Sequence, residues 1–171
     1  MILDAHSHVH DPLSAHLSAL DAAGVDRTVL FPTRAHPERA TDVDSLHHEM
    51  GVLERALAGG SGDEGFALAM RELDRALTAH PYRFLGFGSV PLGRPDAETA
   101  ARVEREVTAR GLYGIGELTP PPVRLALVEP VVRAATTTRA SRWSSTAPRP
   151  PPPWTCAHSP TWRPATRRSR W

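Results

Sequence analysis

The stretch Ile2-Leu3-Asp4-Ala5-His6-Ser7-His8-Val9 decides how the rest of the chain is read. It predicts a strand. Strand alternation puts Asp4, His6 and His8 on one face and Leu3, Ala5, Ser7 and Val9 on the other. Two imidazoles at i and i+2 then point the same way and can reach one ion. Asp4 on that face could accept a hydrogen bond from a ligating imidazole. The plain alternative is two solvated histidines at a polar strand end. Three polar residues on the inward face of a first, central strand need partners, which favours the metal reading. His10 lies past the strand beside Pro12 and reads as a loop or substrate-side residue. His16, His36, His47, His48 and His80 read as solvated helix or loop positions.

Outward from this strand, apolar runs alternate with helical stretches. Pro12 and Ser14 open a helix with Leu13, Leu17 and Leu20 on one stripe, stopped by Gly24. Val25 to Phe31 is a second strand, closed by Pro32. Helices follow over about Thr41–Ala58 and Phe66–His80, with glycines between them. Arg83 to Val90 is a third strand. Asp96 caps a helix to Arg110, and Leu112 to Leu118 is a fourth strand. A further helix begins near Leu125. This alternation means βαβ units and a parallel sheet, and the apolar strands predict burial on both faces. Four units do not close a (β/α)₈ barrel, which takes roughly 250 residues, and could form an open doubly wound sheet instead. In either case ligands collect at the carboxyl ends of the strands, where His6 and His8 lie.

The 171 residues, 40% of them hydrophobic, suit one domain with a real core. No apolar run approaches the length of a membrane span. Asp4 stands where a signal peptide needs basic residues, so a cytoplasmic location is expected. The single cysteine, Cys156, excludes a disulfide framework and a cysteine-rich zinc site. Net charge is +1, but it is split. Residues 1–132 hold all 19 acids and carry net −7, whereas residues 133–171 have no acid and carry +8. All four tryptophans lie in that second part.

Glu117 ends the fourth strand within Gly116-Glu117-Leu118-Thr119-Pro120. It could ligate a metal, touch substrate, or simply bond a neighbouring loop. Gly86-Phe87-Gly88 and Gly114-Ile115-Gly116 do not open helices in a phosphate-binding pattern, so close packing is the better reason for their glycines.

Four segments together resemble the amidohydrolase-related metal hydrolases, a branch that also holds carboxymuconate-semialdehyde decarboxylase-like enzymes. They are Ile2-Leu3-Asp4-Ala5-His6-Ser7-His8, Leu20-Asp21-Ala22-Ala23-Gly24-Val25-Asp26-Arg27, His80-Pro81-Tyr82-Arg83-Phe84-Leu85-Gly86-Phe87 and Gly114-Ile115-Gly116-Glu117-Leu118. The resemblance covers residues 1 to about 135. It implies the N-terminal half of a (β/α)₈ TIM-type barrel and a divalent ion, usually zinc. His6 and His8 would supply two ligands. A histidine ending strand 5 and an aspartate ending strand 8 would complete the site, the aspartate taking a proton from the attacking water. The implied activity is hydrolysis of an amide, lactone or similar carbonyl in a small molecule, with metal-dependent decarboxylation as the alternative on the same scaffold.

Residues 136–171 show no hydrophobic period and read as an irregular, disordered tail. The chain lacks Lys, Asn and Gln and has two Ile, which points to GC-rich coding DNA. Reading each codon one base earlier over residues 140–146 permits Gly-Leu-Pro-Val-Val-Val-His, a buried strand ending in a ligand. The same shift over residues 154–171 permits an amphipathic helix and a strand start. A frameshift between about Ala134 and Thr138 is therefore expected, by consistency across levels. It removes the strand-5 histidine and strand-8 aspartate. His158 lies in no strand and is a poor substitute. Incomplete and inactive half barrels, aggregated or weakly paired as homo-oligomers, are the expectation for this chain. A nucleic-acid role for the basic, Trp-rich tail is disfavoured, because a stacking platform needs a fold.

Overall fold

The computed structural model describes residues 1–58 and 62–144. Strands β1 (Leu3–His8), β2 (Arg27–Phe31), β3 (Phe84–Gly88) and β4 (Gly114–Ile115) form a parallel sheet in the order β1-β2-β3-β4. Helix α1 (Leu13–Ala22) joins β1 to β2. A 3₁₀ turn (Pro37–Arg39), α2 (Val43–Leu57) and α3 (Asp63–Ala79) join β2 to β3. Helix α4 (Asp96–Val103) runs on through a π-helical turn, Glu104–Thr108, before β4. A second 3₁₀ turn, Leu125–Val128, leads into α5 (Glu129–Ser144). Four parallel strands in sequence order, with helical connections, match the first half of a (β/α)₈ arrangement.

Local chemistry explains where elements start. Asp42 accepts from the backbone N–H of Ser45 at 2.8 Å in a capping box, so α2 begins at Val43. Helix α3 starts at Asp63, earlier than the apolar pattern indicates, because Asp63 and Glu64 favour its N-terminal turn. Pro95, not Asp96, occupies the N-cap of α4. Asp96 takes the first helical position and pairs with Arg133 of α5 at 2.7 Å. Pairing in β4 ends after two residues, and Pro120, Pro121 and Pro122 could not continue the ladder. Helix α5 runs through Ser144, past the change of composition near residue 135. The remainder of the tail, including His158, lies outside the described residues.

The core has two parts. Val9, Leu20, Leu30, Met70, Leu73, Ala76 and Phe84 pack α1 and α3 against the sheet, with Leu13 and Leu17 at the edge. Val90, Val103, Val107, Val131 and Ala134 join α4 to α5. Gly86 lets β3 approach Leu77 of α3, and Gly88 lets it approach the layer of Val107. A Cβ at Gly88 would lie 2.8 Å from Val107 Cγ2 and 3.0 Å from Leu112 Cδ1.

Two expectations are corrected. Strand β1 is an edge strand among the described residues, not a central one, and Leu3, Ala5 and His6 on it are exposed. The β1–β2 register also slips between Asp4 and Ser7. Asp4 pairs with Thr28, while His8 pairs with Phe31. Thr28 and Phe31 lie on opposite faces of β2, so the slip parts Asp4 from the two histidines.

Candidate metal centre

One face of the sheet carries His6 and His8 from β1, Phe31 from β2 and Phe87 from β3. The His6 ring lies 4.7 Å from that of Phe31, and the Phe31 ring 5.2 Å from that of Phe87. Gly114 and Gly116 make room for these rings; a Cβ at Gly116 would sit 2.9 Å from Phe31 Cε1. Beyond β4, Glu117 turns back over this aromatic floor. Its Oε1 is 2.9 Å from His6 Nε2 and its Oε2 3.6 Å from His8 Nε2. The two Nε2 atoms are 3.4 Å apart. One ligand atom from each of the three residues lies within 4.8 Å of the others.

This donor set fits a divalent ion. Two neutral imidazoles and one carboxylate are a common three-ligand set that leaves a position open. Ligands about 2.05 Å from a shared tetrahedral ion stand about 3.3 Å apart. The Nε2–Nε2 separation of 3.4 Å matches this, and the shorter 2.9 Å contact is that of a hydrogen bond.

The surroundings differ from the sequence reading in four places. Asp4 Oδ1 accepts from the backbone N–H of His6 at 3.2 Å and does not orient an imidazole. His8 Nδ1 is buried and has no partner among the described residues. The supporting acceptor expected of Asp4 is therefore missing, because the β1 slip turns Asp4 to the other face. The His10 ring lies tilted at 5.6 Å from that of His16, and its buried Nδ1 has no partner among the described residues, so it belongs to the helix-side packing more than to the metal cluster.

His16 is buried, not solvated, with Nε2 3.0 Å from Ser7 Oγ. Burial, and then the nearby His10, push its pKa below the usual histidine value, against the opposing pull of Asp4 and Glu38. His36 is also buried, with Nδ1 2.9 Å from Glu38, Nε2 3.0 Å from Glu72 and its backbone N–H donating to Glu49 at 2.7 Å. Burial alone would raise the Glu38 pKa. The hydrogen bonds from His36 and the Asp11 backbone hold it below the ordinary carboxylate value. His47 and His48 are exposed, as read, and His80 is the C-cap of α3.

A cavity opens beside the cluster. Its walls include His8, Arg34, Phe66, Ser89, Glu117 and Thr119, and it adjoins a larger one of about 360 Å³ reached past Arg94 and Arg124. Arg34 was not singled out by sequence. Its place just past the carboxyl end of β2, in Phe31-Pro32-Thr33-Arg34, was the clue available.

No family model matches the sequence, and no curated protein matches it. Among solved structures the chain is similar to 5-carboxyvanillate decarboxylase from Novosphingobium aromaticivorans, solved with manganese and 3-methoxy-4-hydroxy-5-nitrobenzoic acid bound. Identity is 23%, over 73% of this chain and 32% of that one, with a TM-score of 0.40. The chain thus spans 32% of the length of that protein. Among the described residues no helix is long and apolar enough to cross a membrane.

Proposed function

We propose that His6, His8 and Glu117 hold a divalent metal ion, and that the site performs amidohydrolase-type addition of water to an amide, lactone or related carbonyl of a small molecule. The convergence of these three side chains from opposite edges of the sheet carries the reading. Zinc is the ion proposed, and manganese suits the same donors. When bound, such an ion polarises a carbonyl and makes water more acidic.

The chain's own residues do the rest. His6 and His8 offer Nε2, and Glu117 offers charge to balance the ion. Phe31 and Phe87 form an aromatic floor beneath them. The adjoining cavity admits a substrate of metabolite size. Metal-dependent decarboxylation is the second reading. The observation favouring it is Arg34, a cation in the cavity wall with the chemistry to hold an acid.

The acid that would accept the water's proton has no counterpart in the residues read as out of frame. Full activity is therefore assigned to a frame-restored protein, and the 171-residue chain is expected to be inactive and poorly stable, alone or as a homo-oligomer. Resequencing the locus tests the frame. Metal content of the wild type and of His6→Ala tests the site. Hydrolysis against CO₂ release by the restored protein separates the two chemistries. Undiminished metal content in His6→Ala would sink both.

A further inference from the structure

Arg34 stands apart from the chain's other cavity-wall cations. Arg94 pairs with Asp63 at 3.1 Å and Glu98 at 3.8 Å. Arg124, on the far wall, is exposed. Arg34 is half-buried, and its guanidinium carbon lies 4.5 Å from the centre of the Phe66 ring. Among the described residues no carboxylate reaches it. The undescribed residues 59–61 and 145–171 cannot supply an acidic side chain, because they contain no Asp or Glu. Glu117, the acid that shares its cavity, lies instead against His6 at 2.9 Å and His8 at 3.6 Å. Burial pushes the Arg34 pKa down, so the folded chain bears a cost for keeping this charge unpaired. The ring face of Phe66 offsets part of that cost and leaves the planar N–H fork without a carboxylate partner among the described residues.

We propose that Arg34 is the anchor for a substrate carboxylate, gripping it through the guanidinium fork so that the rest of a small organic acid lies toward His8 and Glu117. The cavity geometry supports this: Arg34, His8 and Glu117 line one wall system, and the adjoining space of about 360 Å³ suits a compact acid and not a polymer. A guanidinium grips a carboxylate with two parallel N–H···O bonds, which fixes orientation as well as charge. The anchor itself does not depend on a metal. It rests on the metal reading only for what the held acid meets at its other end. The proposed substrate class is therefore small carboxylic acids, so that an amide or lactone processed here would itself carry a carboxylate.

Equilibrium dialysis of radiolabelled benzoate against the 171-residue chain, with a chelator present, tests the anchor. Benzoate should bind saturably, unlabelled benzoate should displace it, and benzamide should not. Arg34→Gln should weaken binding about tenfold or more, the scale of a lost charge-assisted pair. Arg34→Lys should lose less. Should Arg34→Gln fail to keep the native circular dichroism spectrum, Arg34→Lys carries the test, since loss of the fork must still weaken benzoate. Absence of saturable binding by the wild type, equal displacement by benzamide, or unchanged affinity in Arg34→Gln or native-like Arg34→Lys would overturn the proposal. Separate titration of Arg34→Gln with zinc should match the wild type. The chelated assay therefore reads Arg34 alone, and a failure there is distinct from a failure of the metal site.

Discussion

Glu117, just past β4, and His6, on β1, meet at 2.9 Å although β1 and β4 are opposite edges of the four-stranded sheet. In a flat sheet three strand spacings separate those edges by roughly 14 Å. Parallel side chains standing on a flat sheet would not meet. Glu117 lies past the end of β4 and reaches back across the sheet face, so that His6, His8 and Glu117 gather above Phe31 and Phe87.

Removing one member of that trio should be felt in metal uptake first. His6→Ala and Glu117→Gln are each expected to weaken zinc or manganese binding by about 100-fold or more, beyond the range typical of supporting groups. Calorimetric titration checks this. Zinc should also raise the thermal midpoint of the wild type, because it binds only the folded site. Neither variant should show that rise.

His16 makes stability depend on pH. Its folded-state pKa lies below its unfolded one, so the unfolded chain binds more protons once the pH drops below about 6.5. The contribution of neutral, buried His16 is complete above that pH. It is lost as the pH falls toward the folded-state value. Urea unfolding at pH 7.5 and pH 5.5 should show the loss, and His16→Gln should flatten it. Glu38 has a lowered pKa, so its contribution is present above the unfolded carboxylate value and fades only in more acid solution.

His36 ties the loop after β2 to α2 and α3 through Glu38, Glu49 and Glu72. Its replacement by Leu takes the imidazole away from Glu38 and Glu72 in a partly buried place, while the backbone bond to Glu49 can persist. The expected loss is on the order of 3 kcal/mol, as when one partner of a buried polar network is removed. Metal affinity should change little by comparison, since His36 is not among the ligating side chains. Denaturant midpoints measured beside metal titrations would separate the two effects.

Gly88→Ala tests the close approach of β3 to the π-helical turn. Its Cβ would meet Val107 Cγ2 at 2.8 Å and the Glu106 carbonyl oxygen at 3.3 Å. Backbone cannot yield easily, so a loss of about 1–3 kcal/mol is expected from overpacking. Unchanged stability would mean that the turn relaxes freely.

The sequence by itself determined the alternation of strands and helices, the parallel sheet, and the shared face of His6 and His8. These follow from local periodicity, and periods of two and of 3.6 are written along the chain. The change of composition near residue 135 was equally visible, since the absence of acids after it is a matter of counting. Tertiary structure decided the rest. The slip in β1–β2 pairing, which carries Asp4 away from the histidines, depends on a neighbouring strand and leaves no periodic trace. The partners that hold His16 and His36 inside are Ser7 and, beside the neighbouring Glu38, two glutamates further along the chain, Glu49 and Glu72. Glu117 became a partner of His6 only because the chain beyond β4 turns back over the sheet. Arg34 became a cavity-wall cation without a carboxylate because, among the described residues, no acid folds within reach of it. Local sequence fixes which way a side chain leaves its own backbone; what it meets there is set by residues far along the chain, brought near by packing.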